Sequence, residues 1–192
     1  MRISKLLVPL AFLMLFSNGV AAAAAGFDES TEAEYKEALA KAIPMAEQGD
    51  AEAQYNIGVM YAEGLGVLEN DRTGAKWLTL AAEQGYADAQ YKLAIMFANG
   101  EGVLENHKTA YRWAKLAAAQ EHADAQNLLG LLAGTDEDWI RSYMWFTLAT
   151  YNDAEEDFSL LKIINSIKMT PAEVDMAQEM ASRCLESNYT DC

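Results

Sequence analysis

Histidine and cysteine, the side chains most often found in metal sites, are scarce in this chain of 192 residues, which contains two of each. There is no His-Glu-x-x-His motif, and neither His107 nor His122 stands at zinc-ligand spacing from a cysteine. The sequence therefore predicts no metal site and no cofactor. We expect both histidines to be exposed loop residues near the starts of helices.

Basic residues are also few. Lys and Arg number 14 against 29 Asp and Glu, and the net charge is −15. The first 25 residues contain Arg2 and Lys5 and no acidic residue, so the remaining residues carry −17. Such a surface repels nucleic-acid phosphates and anionic membranes, so no nucleic-acid partner is predicted. A basic protein partner is compatible with this charge, although solubility alone also explains it.

No apolar run in the sequence is long enough to cross a membrane comfortably, which takes about 20 residues. The uncharged run at residues 6–16 follows the basic Arg2 and Lys5 and precedes small residues at 21–25. This order is typical of a secretory signal peptide. Residues 1–25 are therefore predicted to be removed, which makes the protein periplasmic or secreted. No membrane anchor is expected after cleavage.

The chain repeats itself with a period of 36 residues. Residues 51–84 and 87–120 align without a gap, and 18 of the 34 aligned positions are identical. Residues 35–50 match the second half of a unit, and a third copy begins at Ala123 with a loop four residues shorter. We therefore divide residues 27–150 into a partial unit at 35–50 and units at 51–86, 87–122 and 123–150. Such a period is typical of stacked helical hairpins.

Each unit has the pattern of two helices joined by a glycine-containing loop. In the first unit, Asp50 is placed to cap the first helix. Gly64 is predicted to end that helix in the left-handed conformation, and Gly66 to allow a second bend. Asn70 or Asp71 then begins the second helix. One such hairpin cannot bury its own apolar face, whereas stacked neighbours can.

The run A-x-A-Q-Y-x-[IL]-[GA]-x-M-[YF]-A-x-G-x-G-V, followed by a tryptophan-containing helix that ends in A-A-x-Q, resembles the Sel-one-like repeat family. The resemblance implies an all-α fold, a right-handed α-solenoid of tetratricopeptide-like helix-turn-helix repeats. It also implies protein–protein interaction, often in the bacterial envelope. The third unit departs from the pattern, because Gly134 lacks the second loop glycine. Just before this unit, Glu121 stands where Gly85 would recur.

Residues 151–192 do not match the repeat, and we predict that they form a helical cap over the end of the stack. Thr170, Pro171 and Glu173 have the pattern of a helix start with a capping box. Before that start, apolar residues recur at helical spacing at Phe158, Leu161, Ile164 and Ile167. In an oxidising compartment, Cys184 and Cys192 are expected to form an intramolecular disulfide. An intermolecular bridge and two free thiols are the alternatives.

The candidate binding surface follows from the repeat. Positions of the first helix that differ between units are predicted to be exposed, and they recur at spacings that share one helix face. Stacked first helices usually line the concave side of a solenoid. The surface residues are Glu52, Asn56, Val59 and Glu63 in the first unit and Asp88, Lys92, Ile95 and Asn99 in the second. Core packing is the alternative explanation for the apolar column of Val59, Ile95 and Leu131.

Tryptophan recurs at one repeat position, and a recurring aromatic is more typical of core packing than of a ligand cage. Trp77, Trp113 and Trp145 are therefore predicted to be buried between hairpins. Two acidic runs, at residues 136–138 and 153–157, lack the spacing of a calcium loop and are interpreted as solvated surface.

Together these patterns predict an exported adaptor that binds a protein or peptide on a concave helical surface. They favour a protein without enzymatic activity. A Ser–His–Asp triad is recognised by geometry rather than by sequence spacing, so a small periplasmic hydrolase acting on envelope substrates is one alternative. A secreted factor that binds a host-cell protein is another. The identity of the partner does not follow from the sequence.

Export of the protein predicts a mature N-terminus between Ala22 and Asp28, because the small residues there suit signal peptidase. Mass spectrometry of the protein isolated from its native host measures this terminus directly. A full-length cytoplasmic species that retains Met1 would contradict the export prediction.

Overall fold

The computed structural model describes residues 29–152, 159–190 and 192. The predicted signal peptide at residues 1–25 and Phe158 lie outside the described residues. Within them, all regular secondary structure is helical. The helices are α1 (Glu29–Glu47), α2 (Ala51–Glu63), α3 (Asp71–Glu83), α4 (Ala87–Asn99), α5 (His107–Ala118), α6 (Ala123–Thr135), α7 (Trp139–Asn152), α8 (Ser159–Ser166) and α9 (Pro171–Glu186).

Helices α2 and α3 form the hairpin of the first unit, and the residues named from the sequence set their ends. The Asp50 carboxylate caps the first turn of α2. Gly64 ends α2 with φ at 70°, in the left-handed region that glycine adopts without strain. Asn70, rather than Asp71, caps α3 through its side-chain oxygen. The hairpin of α4 and α5 uses a left-handed glycine and an asparagine cap in the same places.

The units stack so that each second helix packs against the first helix of the next unit. The second loop glycine permits this approach. Gly66 has φ at 67°, and a Cβ at this position would lie 2.8 Å from the Tyr35 backbone. A Cβ at Gly102, one period later, would collide with the Asp71 backbone. Since Tyr35 and Asp71 are also one period apart, α1 takes the place of a second helix in a partial unit.

Buried glutamines connect the units at one repeated position. Gln54, Gln90 and Gln126 each donate a hydrogen bond of 3.0–3.1 Å to a last-turn carbonyl of the preceding second helix. Their own amide oxygens accept hydrogen bonds of 2.8–2.9 Å from Gln84, Gln120 and Asn152. These last-turn carbonyls accept one backbone N–H from the turn that follows each helix, and the glutamines supply a second donor from the next unit. We call these six side chains the amide ladder.

The third unit carries polar residues where the C-terminal helices attach. Ser142 stands where the first two units have Gly or Ala. Its hydroxyl donates to the Gly130 carbonyl and accepts from the Asn165 amide of α8, both at 2.7 Å. Asn152, the last member of the amide ladder, also donates to the Tyr189 hydroxyl at 2.6 Å. Helix α9 packs against α7 much as α6 packs against α5. Residues after the repeats therefore continue the stack and close it.

The departures from the repeat at Glu121 and Gly134 leave the helical hairpins on either side intact. Glu121 adopts φ at 64°, the left-handed conformation that Gly85 adopts one period earlier, at a cost of about 1–2 kcal/mol. Gly134 does not end a helix, since α6 continues to Thr135. Glu137 takes the left-handed turn instead, with φ at 61°.

The predicted start of α9 is confirmed, with Thr170 and Glu173 forming the capping box and Pro171 in the first turn. The helical spacing that includes Ile167 in the helix before this start is wrong at that residue. Helix α8 ends at Ser166, and Ile167 lies in the turn that leads into α9, where it is 77% exposed.

The three tryptophans are not equally buried, which corrects the prediction made from their spacing. Trp145 is 2% exposed and shares a core cluster with Ala181 and Cys184 of α9. Trp77 and Trp113 are partly buried at the edges of their clusters. The reason is position in the stack, because only Trp145 lies beneath the C-terminal cap.

Cys184 and Cys192 lie at disulfide distance, with their Cα atoms 5.0 Å apart. Cys184 is fully buried on the packed face of α9. Asn188, with φ at 51°, turns the chain back after that helix in the left-handed conformation that asparagine tolerates. The carbonyl oxygen of Cys192 accepts a hydrogen bond from Lys115 Nζ at 2.9 Å, so the C-terminal segment reaches back to α5.

The unequal burial of tryptophan leads to a stability prediction. Trp145→Ala should lower the free energy of unfolding by about 3–5 kcal/mol, because it leaves a cavity beneath the cap. Trp113→Ala, at the same repeat position, should cost about 1–3 kcal/mol, since part of its surface already meets water. Denaturant unfolding followed by circular dichroism measures both values. Equal losses would contradict this account of the cap.

The cysteine pair predicts an intramolecular disulfide in protein isolated from the cell envelope. Non-reducing intact-mass analysis should show a monomer that is inert to alkylation until it is reduced. The short loop should contribute about 2–3 kcal/mol of stability in the chain-entropy model, and Cys192→Ala should remove it. Two freely alkylated thiols, or a reducible dimer as the main species, would overturn this prediction.

Candidate functional site

The structure places three of the eight predicted surface residues in polar contacts between units. Lys92 Nζ of α4 lies 2.6 Å from Glu63 Oε1 of α2. Asp88 Oδ1 lies 3.1 Å from His122 Nε2, at the start of α6. These contacts join consecutive first helices across the face proposed for binding. The side chains involved are partly exposed, so each pair contributes at most about 1 kcal/mol to stability.

His122 is not the exposed loop residue that its sequence position predicts. It is the N-cap of α6, and its Nδ1 accepts the Ala125 N–H at 3.3 Å. The proton of the neutral ring therefore belongs on Nε2, which donates to Asp88. The ring also packs on Tyr91, with centroids 4.8 Å apart. His107, in contrast, is exposed as predicted, beside Glu105 at the start of α5.

The contact between Tyr91 and His122 has a counterpart one unit earlier, where the rings of Tyr55 and Tyr86 lie 5.2 Å apart. Burial raises the pKa of both of these phenols, and the nearby Asp88 carboxylate raises it further. The two tyrosines therefore remain protonated at neutral pH. The same two repeat positions thus form an aromatic contact between the first and second units and between the second and third.

A groove of about 150 Å³ opens between the first helices of the second and third units. Its lining is mainly apolar, with polar groups at intervals. Helix α4 contributes Tyr91, Ile95 and Asn99, and His107 stands at one side. Helix α6 contributes Asp124, Asn127, Leu128, Leu131, Leu132 and Thr135. An apolar cleft with a few convergent polar groups is the usual form of a binding site.

The groove is lined by the same repeat positions as the predicted surface. Ile95 and Asn99 line it directly. The third-unit equivalents of the four candidate positions are Asp124, Leu128, Leu131 and Thr135, and all four line it as well. Sequence reasoning named only Leu131 among these, yet extending the same register by one period identifies the rest. Asn127 and His107 carry no sequence signal for this groove, because their place in its lining depends on how two units meet.

The remaining predicted residues lie beside the first unit or within its packing. Glu52 and Asn56 are exposed and line a second depression, between α1 and α2. Val59 packs against the core cluster that joins α3 and α4. Ile95 packs against the larger cluster that extends from α4 to α9, and it also lines the groove. In this apolar column, Val59 therefore serves core packing, whereas Ile95 packs on the core and also lines the groove.

Within the described residues, no group of three or more His, Cys, Asp or Glu side chains is arranged to hold a metal ion. The acidic run at residues 136–138 lies in the short loop after α6, where Asp138 pairs with Arg141 at 3.2 Å. The acidic run at 153–157 lies outside the described residues. No helix in the described part of the chain combines the length and the apolar character needed to cross a membrane.

Comparison with known proteins finds the same helical repeats in this chain. The Sel1 repeat model matches residues 51–86, 87–122 and 123–153. The chain belongs to the Sel1 repeat family. Proteins of this family are generally non-catalytic adaptors for protein–protein interaction. No curated protein matches the chain.

Two solved structures with Sel1-type repeats are similar. One is a protective antigen of uropathogenic Escherichia coli strains that displays an SLR fold, with 28% identity and a TM-score of 0.74. The match covers 80% of this chain and 34% of the antigen chain, so this chain spans about a third of that protein. The other is a Sel1 repeat protein from Oxalobacter formigenes, with 25% identity, a TM-score of 0.56, and coverage of 84% and 78%.

Proposed function

We propose that this protein is an exported adaptor that binds a polypeptide in the groove between α4 and α6. The observation that carries the proposal is which repeat positions line the groove. Six of its lining residues occupy the four first-helix positions that vary between units, and the repeat pattern alone identifies these positions. Residues that only support the fold are expected to recur, as the amide-ladder glutamines do.

Export is proposed from the first 25 residues and from the cysteine pair. Cys184 and Cys192 lie at disulfide distance, and disulfides persist mainly in oxidising compartments. The similarity to a protective antigen of Escherichia coli agrees with a place in the envelope or outside the cell.

Leu131→Arg tests the binding face. Leu131 lines the groove and is only partly buried, so a guanidinium group here obstructs the groove with little loss of packing. Proximity labelling in intact cells should show at least a tenfold loss of the labelled partner, whereas the melting temperature should change by only a few degrees.

Gln178→Arg is the matched control, because Gln178 is exposed on α9, away from the groove. It should leave labelling unchanged. Asn56→Arg, beside the first unit, tests whether binding is confined to the groove or extends over the rest of the face formed by the first helices. If Leu131→Arg leaves the partner bound while Gln178→Arg releases it, the proposed surface is wrong.

A further inference from the structure

Helix α1 takes the place of a second helix, and no described residue forms the first helix of its unit. In each complete unit, the second helix packs against the first helix of its own hairpin. Three positions of the second helix are buried in all of these units. They are Gly74, Leu78 and Ala81 in the first unit, Ala110, Ala114 and Ala117 in the second, and Ser142, Phe146 and Ala149 in the third. Burial at these positions is therefore a property of the complete hairpin.

The same three positions on α1 are Ala38, Ala42 and Met45, and there they are less buried. Ala38 is exposed, Ala42 is partly buried, and Met45 is 51% exposed. The side of α1 that packs on α2 is buried, through Leu39 and Ala46. We call Ala38, Ala42 and Met45 the open face of α1. It is the surface that a second helix presents when no first helix of its own unit packs on it.

A depression of about 240 Å³ lies along the open face, between α1 and α2. All three residues of the open face line it, together with Asn56 of α2. One unit later, Lys92 stands at the position of Asn56 and pairs with Glu63 of the preceding first helix. Asn56 itself is exposed. The depression therefore lies where a first helix preceding α2 would pack.

The amide ladder is also incomplete at this end of the stack. Just after their second helices, Gln84 and Gln120 donate hydrogen bonds to the ladder glutamine of their own first helix. Gln48 stands at the same position after α1. Its Nε2 instead donates to the Pro44 carbonyl, four residues back in the chain, at 2.8 Å. A first helix packed on the open face would bring an amide oxygen within reach of Gln48.

The complete units show how a first helix fits a second helix. Helices α2, α4 and α6 are each 13 residues long, with glutamine at the fourth position and Gly or Ala at the eighth and twelfth. The eighth residue is small because the two helices approach closely there. A Cβ at Gly58 would lie 2.6 Å from Leu78 Cγ, and one at Gly130 would lie 2.6 Å from the Phe146 ring. Glycine on the first helix thus accompanies a large residue on the second.

In the second unit both residues at this contact are alanine, Ala94 on α4 and Ala114 on α5. Helix α1 carries alanine here too, with Ala42 at the position of Ala114 and Ala38 at the position of Ala110. Its open face therefore matches α5 more closely than α3 or α7. The helix that fits α1 is accordingly one like α4, with alanine at its eighth position.

A second copy of this chain does not supply such a helix. Helices α2, α4 and α6 are each packed in their own hairpin. Helix α1 carries five acidic residues and two basic ones, so two open faces brought together would oppose like charges. Its lysines, Lys36 and Lys41, are already paired with Glu32 and Glu37 of the same helix. The occupant that fits is therefore a helix of another polypeptide.

We propose that the open face of α1 binds an amphipathic helix of a partner protein, antiparallel to α1, as a first helix packs on a second one. The inner face of the partner helix carries Gln or Asn at the fourth position and small residues at the eighth and twelfth. Its amide oxygen accepts a hydrogen bond from Gln48. This surface lies on different helices from the groove between α4 and α6, so the chain has a second docking site.

The probe is a fluorescein-labelled peptide with the α4 sequence, residues 87–99. An isolated helix of this length is marginal in water, so a lactam joins the Asp88 and Lys92 side chains, which lie one turn apart. In the protein these two side chains contact neighbouring first helices rather than α5. Fluorescence polarisation with protein isolated from the cell envelope should show saturable binding. Ala94→Leu in the peptide should weaken binding at least about tenfold, although it makes the peptide more apolar, because the larger side chain meets Ala42.

Met45→Arg tests the open face. The guanidinium group stands where the peptide packs and should weaken binding at least about tenfold. Met176→Arg is the matched control, because Met176 is also 51% exposed but lies on α9. It should leave binding unchanged. Both substitutions should shift the melting temperature by only a few degrees, since half of each side chain already meets water.

A double-mutant cycle tests the hydrogen bond of Gln48. Gln48→Leu in the protein and Gln90→Leu in the peptide should each weaken binding about threefold to tenfold. The two substitutions together should weaken it no more than either one alone, because both remove the same hydrogen bond.

Four results would overturn this inference. The first is the absence of saturable binding, and the second is binding that Met45→Arg leaves unchanged. The third is tighter binding of the Ala94→Leu peptide, which would indicate apolar adhesion without the fit of a first helix. The fourth is a dimer in light scattering that Met45→Arg dissociates, because a second copy of the chain would then cover the open face.

Discussion

The amide ladder is the interaction on which the arrangement of the units depends. Gln90, for example, binds the Ala82 carbonyl with its amide nitrogen and Gln120 with its oxygen, so one side chain holds three helices together. It is 4% exposed, and a buried amide that loses its partners is penalised by about 1–3 kcal/mol. Neighbouring units can therefore pack at the spacing that satisfies the ladder and at few others. Apolar packing supplies most of the driving force, while the ladder sets the register.

The same ladder explains how the stack ends. Asn152 is one methylene shorter than the glutamine it replaces, yet it reaches Gln126 and also the Tyr189 hydroxyl. Ser142 makes a comparable link to Asn165. An unfinished solenoid exposes an apolar face to water. Here the last unit exchanges repeat residues for polar ones that fasten its cap, and the cap in turn buries Trp145.

Ligand binding is proposed where the repeat allows variation. The ladder occupies the interior, so the exposed positions of the first helices are free to differ without disturbing the spacing of units. Between the first and second units, those positions carry the ion pair of Glu63 with Lys92. Between the second and third, Leu128 stands in the place of Lys92 and Asn127 in the place of Tyr91. At these positions an ion pair between the first helices gives way to a groove with a mainly apolar lining.

Local chemistry was readable directly from the sequence. Asp50, Gly64 and Thr170 act at their helix ends as predicted, because a cap or a left-handed turn depends on a few consecutive residues. The repeat also predicted the order of helices and the face that holds Ile95 and Asn99. These features need only the chain's periodicity and its immediate neighbours.

Other features depended on which residues meet across units. Trp113 and Trp145 share one repeat position, and only the cap makes one of them buried. His122 looked like a loop residue, yet the approach of α4 places Asp88 and Tyr91 against its ring. The unpaired oxygen of Asn127 has no signature in the sequence at all. Burial and hydrogen-bond satisfaction are properties of contacts between residues about 30 positions apart, so the tertiary structure alone decides them.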